Sequence, residues 1–177
     1  MLQNIEIRDI MIILYKLKFM IVMNGWLVPE LRSKNMFEWK KELELGIGSI
    51  DNQHKKWVDL ANRIYSMIEN DAHSDSDILK IVKELIDYTD YHFQTEETLF
   101  QKYNYPDYEV HKEAHDNFRN YLLSINFREA KEDRKKFLEQ LLVKMVHWIM
   151  NHIITLDYWY KDFLIGLGAN KEPVNEV

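Results

Sequence analysis

The chain has 177 residues, 46% of them hydrophobic, and a formal net charge of −6 at pH 7. This length suffices for one well-filled core, and the negative charge, without a run of Lys or Arg interleaved with aromatic residues, excludes nucleic-acid binding as an expected function. The chain has no cysteine, which excludes disulfides, thiolate metal sites, iron–sulfur clusters and cysteine nucleophiles. Any metal ion must therefore be held by nitrogen and oxygen atoms.

Residues 1–35 differ in pattern from the rest of the chain. Lys16 and Lys18 interrupt the apolar run from Ile10 to Met23, which is too short and too charged to span a bilayer. The same lysines, and the lack of a small-residue cleavage site, argue against a signal peptide. We interpret residues 1–35 as an N-terminal extension of unknown role: an appended or mis-started N-terminus, a helix packed on the domain, or a signal or membrane-surface segment. We expect a cytoplasmic protein with no membrane partner.

An arm and a first helix are predicted next. Gly46 and Gly48 make a continuous helix unfavourable between Phe37 and Ile50, so this segment is predicted to be an extended arm lying on the bundle. The first helix is predicted to begin near Asp51 as its N-cap and to end before a polar loop from Asn70 to Asp77. Its inward stripe, at spacings of three and four, consists of His54, Trp57/Val58, Ala61, Ile64/Tyr65 and Ile68.

Three further helices are predicted by the same spacing. They run from about residue 77 to 103, from about 107 to 127, and from about 131 to 164. The inward stripe of the last helix consists of Leu138, Leu141, Met145, Trp148, His152, Leu156, Trp159 and Phe163. Four amphipathic helices joined by short loops predict an all-α fold, an up-down-up-down four-helix bundle with an extended N-terminal arm.

Two pairs of metal-ligand residues stand four positions apart on the second and third helices. His92 and Glu96 form one pair, and His111 and His115 form the other. Four residues of an α-helix turn the side chain by only about 40° and advance it by about 6 Å, so each pair projects from one face. The turn signal from Asn104 to Asp107 between the pairs brings the two helices face to face. This geometry indicates a metal site.

Five of the seven histidines fall on inward positions where apolar residues otherwise belong: His54, His92, His111, His115 and His152. A single core histidine is as often a hydrogen-bonded structural residue as a ligand, but five together favour ligands. His73 lies in the acidic loop and is interpreted as a surface residue. The angular position of His147 points it away from the site.

Two carboxylates accompany these histidines. Glu96 lies on the inward stripe, and Asp157, five residues after His152, lies near it, although by angle it is the weakest member of the set. A buried carboxylate costs several kcal/mol unless it is paired or bound to metal, and no Lys or Arg lies on these stripes. Seven ligands exceed the needs of one tetrahedral ion and suit two ions bridged by the carboxylates.

The ligand types narrow the choice of metal. Imidazole with carboxylate suits iron, zinc, copper or manganese, and the precedent of di-iron sites in helical bundles favours iron. The chain lacks the pair of Glu-x-x-His motifs found in carboxylate-rich di-iron bundles. A site richer in histidine carries less negative charge and stabilises high-valent iron less, which favours binding dioxygen over cleaving it.

The pattern resembles the hemerythrin family, and its bacterial members in particular, over residues 37–165. The resemblance lies in five stretches: the FEW arm, IDNQHK on the first helix, HFQTEE on the second, YPDYEVHKEAH across the turn into the third, and WIMNHIITLDYWY on the fourth. It implies a hemerythrin-like di-iron bundle over residues 36–166, followed by a short C-terminal tail of residues 167–177.

The resemblance also implies roles for the candidate ligands. His111, His115 and His152 would hold one iron ion, and His54 and His92 the other. Glu96, Asp157 and an oxo or hydroxo group would bridge the Fe2+/Fe3+ pair, and the two-His ion would keep an open coordination position for dioxygen. The candidates for the apolar wall of that dioxygen pocket are Trp57, Phe93, Trp148 and Ile149, although each taken singly is also explained as bundle core.

The expected function is reversible binding of dioxygen, as a carrier, store or supplier rather than an enzyme. Two alternatives remain open at this point. The same site could serve a redox enzyme, such as a peroxidase or a nitric oxide or dioxygen reductase, or it could serve an oxygen or redox sensor. Dioxygen is the expected partner, and the identity of any protein partner stays open.

Overall fold

The computed structural model describes residues 36–70 and 74–171. The N-terminal extension and His73 therefore lie outside the described residues. The described parts of the chain contain helices and no strand. The α-helices are α1 (Gly48–Asn70), α2 (Asp75–Tyr103), α3 (Tyr108–Leu123), α4 (Phe127–Glu132), α5 (Arg134–His152) and α6 (Tyr158–Gly166). A π-helical turn, Ile153–Asp157, joins α5 to α6, and 3-10 turns cover Lys41–Leu43 and Ala169–Lys171.

The long helices form the predicted four-helix bundle. Helix α1 packs against α2 and α5, and α2 packs against α3. Helix α3 meets α5 through Phe118, whose ring stacks on that of Trp148 with centroids 4.1 Å apart. Helix α4 is a short connection that packs on α5 and α2. The fold class predicted from the sequence is confirmed, and none of the described helices is long and apolar enough to cross a membrane.

The start of α1 differs from the prediction. Asp51 is not the N-cap, because the helix begins three residues earlier, at Gly48. The Asp51 carboxylate instead accepts hydrogen bonds from the backbone N–H groups of Leu45, at 2.7 Å, and Gly46, at 2.9 Å. Gly46 has a φ of 80°, a left-handed conformation that glycine adopts without a Cβ clash. Asp51 thus fixes the turn that leads into the helix.

The predicted arm is only partly extended. The 3-10 turn and the early start of α1 shorten the extended stretch, because backbone N–H groups near Asp51 find partners there. The arm nevertheless lies on the bundle: the amide of Asn62 exchanges two hydrogen bonds of 2.9 Å with the backbone N–H and C=O of Phe37. Leu45 and Ile47 are buried at its other end.

Side-chain caps move three other helix boundaries. Ser74 and Asp77 form a capping box, so α2 begins at Asp75, two residues before the predicted position. The third helix was predicted to reach residue 127 but ends at Leu123, since Asn126 caps the separate helix α4. Asp133 caps α5 by accepting from the backbone N–H of Lys136, which delays the predicted start near residue 131 to Arg134.

The π-helical turn shifts the buried face of the last helix by one residue. Trp159 was predicted to face inward but is 66% exposed. From the end of the turn onward, the fully buried side chains are instead those of Asp157, Tyr160 and Leu164. A π-helical turn pairs residue i with i+5, so it inserts one residue into the α-helical period. The predicted stripe assumed an uninterrupted α-helix and was therefore wrong after His152.

Two apolar clusters fill the bundle. The larger one includes Trp57, Phe93 and Phe118, and the smaller one is formed by Leu45, Ile47, Ile50, Phe100, Tyr105, Tyr160, Leu164 and Ala169. Buried histidines contact both clusters: the ring centroid of His111 lies 4.7 Å from that of Phe100, and that of His115 lies 3.8 Å from that of Phe93. A polar layer therefore separates two apolar halves of the core.

Candidate metal centre

The seven candidate ligands come together in this polar layer, and each is at most 5% exposed. They come from every long segment of the bundle: His54 from α1, His92 and Glu96 from α2, His111 and His115 from α3, His152 from α5 and Asp157 from the π-helical turn. The spacings of four place both pairs on inward faces, as helical periodicity predicts. The bundle thus concentrates seven nitrogen- or oxygen-bearing side chains at one level.

Three histidines converge through the same ring atom, and we name His111, His115 and His152 the three-His group. The Nε2 atom of His152 lies 2.9 Å from that of His111 and 3.1 Å from that of His115. A nitrogen ligand lies about 2.1 Å from a divalent ion, so two ligands at right angles around the ion are about 3.0 Å apart. The distances from Nε2 of His152 to the other two nitrogens therefore match those between neighbouring ligands of one octahedral ion.

His54 and His92 form the two-His group on the other side of Glu96. Potential ligand atoms of these three residues lie within 4.8 Å of one another, and those of Glu96 and the three-His group satisfy the same limit. Glu96 therefore belongs to both groups. Its Oε2 atom is 3.1 Å from Nε2 of His115 and 3.8 Å from Nε2 of His92. This carboxylate is placed to be shared by two cations.

Asp157 joins the two groups from the opposite direction. Its Oδ1 atom lies 3.1 Å from Nε2 of His152 and 3.4 Å from Nε2 of His111, whereas Oδ2 lies 3.3 Å from Nε2 of His54. Residues five apart on an α-helix point about 140° apart, but a π-helical turn brings them onto one face. The turn therefore resolves the unfavourable angle that the sequence suggested for Asp157.

Unpaired buried atoms test whether these residues fit cations. Within the described residues, Oε2 of Glu96, both carboxylate oxygens of Asp157 and both ring nitrogens of His54 have no hydrogen-bond partner. Each unsatisfied buried polar group costs about 1–3 kcal/mol, and more if it is charged. Cations between the two carboxylates would satisfy these oxygens and the inward imidazole nitrogens together. The donor set therefore fits a metal centre.

The electrostatics keep the carboxylates in their metal-binding form. Burial alone would raise the pKa of Glu96 and of Asp157, but the surrounding imidazoles hold both pKa values well below the usual range. Burial lowers the pKa of His92 to about 3, so its ring is neutral. Burial also opposes the charged form of His152, but Asp157 and Glu96 outweigh it and raise the pKa of His152 to about 9. A metal ion would replace the proton that balances these carboxylates.

Three residues that sequence reasoning missed hold the candidate ligands from outside. Nδ1 of His115 lies 3.0 Å from Oε1 of Glu97, and Nδ1 of His92 lies 2.9 Å from Oε1 of Gln53. The hydroxyl of Tyr160 donates to Oε1 of Glu96. Such partners fix the orientation of a ligand and leave Nε2 of the imidazole for the ion. The available signal was that Gln53 and Glu97 directly adjoin ligands in sequence.

The predicted apolar wall is divided between the two groups. Phe93 stacks on His115, with centroids 3.8 Å apart and ring planes 5° apart, and Trp148 stacks on His152 at 4.3 Å. These two residues therefore flank the three-His group, and Phe93 reaches the two-His group as well.

The other two residues of the predicted apolar wall, Trp57 and Ile149, lie away from the stacked rings of the three-His group. Trp57 meets the two-His group, with its ring centroid 6.3 Å from that of His92. Ile149 is buried in the larger apolar cluster. Trp39 of the arm, which the sequence did not indicate, lies 5.9 Å from His54 between ring centroids. The rings beside the two-His group therefore include those of Trp57 and Trp39 and that of Phe93, whose centroid lies 5.7 Å from that of His92.

Two histidine variants test the helical register of the centre. His147 is exposed, and its ring contacts the side chain of Asn151 at 3.2 Å. We expect His147→Ala to keep the parental metal content and His115→Ala to lose metal, because only His115 offers an inward nitrogen. His73→Ala is also expected to keep its metal. Metal analysis of the purified variants measures this, and loss of metal from His147→Ala would contradict the register.

Comparisons with known proteins agree with this geometry. A family model described as the hemerythrin HHE cation binding domain matches residues 45–162. Bacteriohemerythrin from Clostridium acetobutylicum is 37% identical over 129 residues, covering 72% of this chain and 100% of the relative. Bacteriohemerythrin from Pseudomonas aeruginosa is 35% identical over 125 residues, covering 70% of this chain and 78% of the relative.

A solved structure extends the likeness to the fold. The crystal structure of wild-type hemerythrin matches with a TM-score of 0.57 and 28% sequence identity, covering 72% of this chain and 97% of that one. The resemblance predicted from the sequence is confirmed. With the helical bundle, the clustered His and carboxylate residues and the matching family model in agreement, this chain belongs to the hemerythrin family.

Proposed function

We propose that this protein binds dioxygen reversibly at a pair of bridged iron ions and serves as a carrier, store or local supplier. One observation carries the proposal: the donors divide unequally, with three histidines on one side, two on the other, and both carboxylates placed between them. The names of the relatives, bacteriohemerythrin and hemerythrin, support it. The proposed extent of the di-iron bundle is residues 36–166.

The unequal division leaves room for a ligand on one side only. Three histidines and two shared carboxylates supply five donors to one ion, whereas two histidines and the same carboxylates supply four to the other. With a shared oxo or hydroxo group counted, the three-His side would offer six donors and the two-His side five. The two-His side would therefore leave room for dioxygen. When bound, the iron pair supplies two electrons to dioxygen, one from each ion.

The chain's own residues protect that position. Trp57 is buried beside His92, and Trp39 of the arm covers His54. The arm is held on the bundle by the paired hydrogen bonds between Phe37 and Asn62, which keeps Trp39 in place. Rings packed around the two-His group exclude water and protons from the bound ligand. Exclusion of water favours release of intact dioxygen over loss of a reduced product.

The other buried polar side chains favour binding over catalysis. Asp51 and Asn62 hold the arm, and the hydroxyl of Thr89 donates to a carbonyl of its own helix. Gln53 and Tyr160 contact candidate ligands. In the described part of the chain, the buried polar residues thus have structural or ligand-holding contacts, and none stands free beside the two-His group as an acid or base.

Titration of the reduced protein with dioxygen tests the proposal. The iron(II)-loaded protein is prepared without oxygen, dioxygen is added in steps, and visible absorption is followed before and after flushing with argon. We expect a new band that saturates at about one dioxygen per two irons and disappears under argon over repeated cycles. The zinc-loaded protein is the control, because zinc has no redox chemistry and should give no band. Continuous dioxygen consumption with excess reductant, or a change that argon does not reverse, would favour an enzyme instead.

A further inference from the structure

The two groups differ in the charge of the residue that supports them from outside. The His115 ring of the three-His group contacts a carboxylate, Oε1 of Glu97, at 3.0 Å. The His92 ring of the two-His group contacts a neutral amide oxygen, Oε1 of Gln53, at 2.9 Å. The two contacts use the same ring atom, Nδ1, and have nearly the same length. Charge is therefore the main difference between them.

The Gln53 amide has a defined orientation. Its Nε2 donates to Oγ1 of Thr95 at 3.2 Å, and the Thr95 hydroxyl in turn donates to the carbonyl of Tyr91. Because the amide nitrogen is committed to Thr95, the amide oxygen faces His92. A carbonyl oxygen can only accept, so Nδ1 of His92 carries the proton and Nε2 is free for an ion. The support of the two-His group is thus neutral and fixed.

Glu97 is fixed as a carboxylate by an arginine. Nη1 of Arg119 donates to Oε1 of Glu97 at 2.8 Å, and both side chains are largely buried, Arg119 at 20% and Glu97 at 14% exposure. The guanidinium also lies over the ring of Phe93, 5.0 Å from its centroid, while that ring stacks on His115. Arg119 therefore holds both the anion and the aromatic ring that fix the position of His115.

A carboxylate behind a ligating imidazole makes that imidazole a stronger electron donor than a neutral amide does. A stronger donor stabilises the more highly charged state of the ion that it holds. We propose that Glu97 is a positioning residue that makes the ion of the three-His group the more easily oxidised of the two, while Gln53 favours the reduced state at the two-His group. This inference rests on the proposed iron pair. With Gln53 behind it, the ion at the two-His group would stay reduced until dioxygen binds.

Three variants separate this role from a purely structural one. Glu97→Gln removes the anion and keeps the shape of the side chain. Asp116→Asn is the matched control, because Asp116 also contacts Nη1 of Arg119, at 2.9 Å, but is 43% exposed. Arg119→Gln removes the cation that balances Glu97. The readout is the ratio of oxidised to reduced iron at equilibrium with a mediator of fixed potential.

We expect Glu97→Gln to lower the oxidised-to-reduced ratio about tenfold, a change as large as the smaller losses of metal affinity caused by removing an outer partner of a ligand. Arg119→Gln should raise the ratio, and Asp116→Asn should leave it within about twofold, as expected for an exposed charge. Opposite shifts of the ratio in Glu97→Gln and Arg119→Gln support the proposal, since a general loosening of His115 would shift the ratio in the same direction in both variants. An unchanged or higher ratio in Glu97→Gln, or an equal shift in Asp116→Asn, would overturn it.

A second readout does not depend on iron or dioxygen. In NMR spectra of the zinc-loaded protein, the Nδ1 proton of His115 should resonate downfield of that of His92, because it is donated to an anion. Glu97→Gln should abolish this difference. If the difference is present but dioxygen binding is not reversible, the proposed function fails and the role of Glu97 stands. If the two protons resonate together in the parent, the role of Glu97 is refuted whatever dioxygen does.

Discussion

Replacing Glu96 with glutamine is expected to remove both metal ions, whereas loss of an unshared ligand should weaken the binding of mainly one ion. Glu96 is fully buried, and its Oε2 atom faces both histidine groups. A neutral amide oxygen cannot offset the charge of two cations at once. Outer partners of ligands contribute about 10–100-fold to metal affinity, so loss of a shared ligand should lower the affinity at both positions by more than about 100-fold.

Metal content after dialysis, measured in the parent and in the variant, tests this expectation. Glu113→Gln is the matched control, because Glu113 lies on α3 between His111 and His115 but is exposed. The control should keep its metal. If Glu96→Gln retained one firmly bound ion, the carboxylate would serve a single group, and a bridging role for it would be excluded.

The largest expected loss of stability is in Trp57→Ala. Trp57 is 1% exposed and lies at the centre of the larger apolar cluster, with ring centroids 6.1 Å from Phe118 and 6.3 Å from Tyr88. Truncation of a buried tryptophan leaves a cavity and costs about 3–5 kcal/mol. This loss is a large part of the free energy of unfolding of a folded domain, which is about 5–15 kcal/mol.

Urea denaturation of the parent and variant at equal metal content measures this loss. Trp57→Phe is the control, because it keeps an aromatic ring in the site and should cost much less than the alanine variant. A loss below about 1 kcal/mol in Trp57→Ala would show that the cluster closes around the missing ring. The packing role assigned to Trp57 would then be wrong.

Helical periodicity accounts for what the sequence predicts correctly. The pairs His92–Glu96 and His111–His115 share a face in any regular helix, so their convergence needs no knowledge of neighbouring chains. His54 and His152 also lie on regular stretches of α1 and α5. The bundle follows from the same periodicity, because four inward stripes have to be buried against one another.

The sequence could not predict features that depend on a departure from regular geometry. A straight α-helix places Trp159 inside and turns Asp157 aside, whereas the π-helical turn exposes Trp159 and aims Asp157 at both groups. The IITLD stretch has no Gly or Pro to signal such a turn. Irregular turns of this kind are frequent at functional sites.

The outer contacts were missed for another reason. Glu97 reaches His115 from a different helix, and Gln53 reaches His92 in the same way. Periodicity gives the face on which a residue lies but not the side chain that it meets on the next helix. Asp51 shows the same limit at a helix end, since its carboxylate caps backbone N–H groups of the preceding turn instead of its own helix. These contacts require the packed structure.

The most direct test of a shared, carboxylate-bridged pair of ions is metal analysis combined with Mössbauer spectroscopy of the oxidised protein. Seven inward ligands, two of which are shared carboxylates, predict about two irons per chain. The bridges should couple the two irons antiferromagnetically into one diamagnetic unit. One zinc per chain without iron, or iron that behaves as isolated paramagnetic ions, would contradict the account.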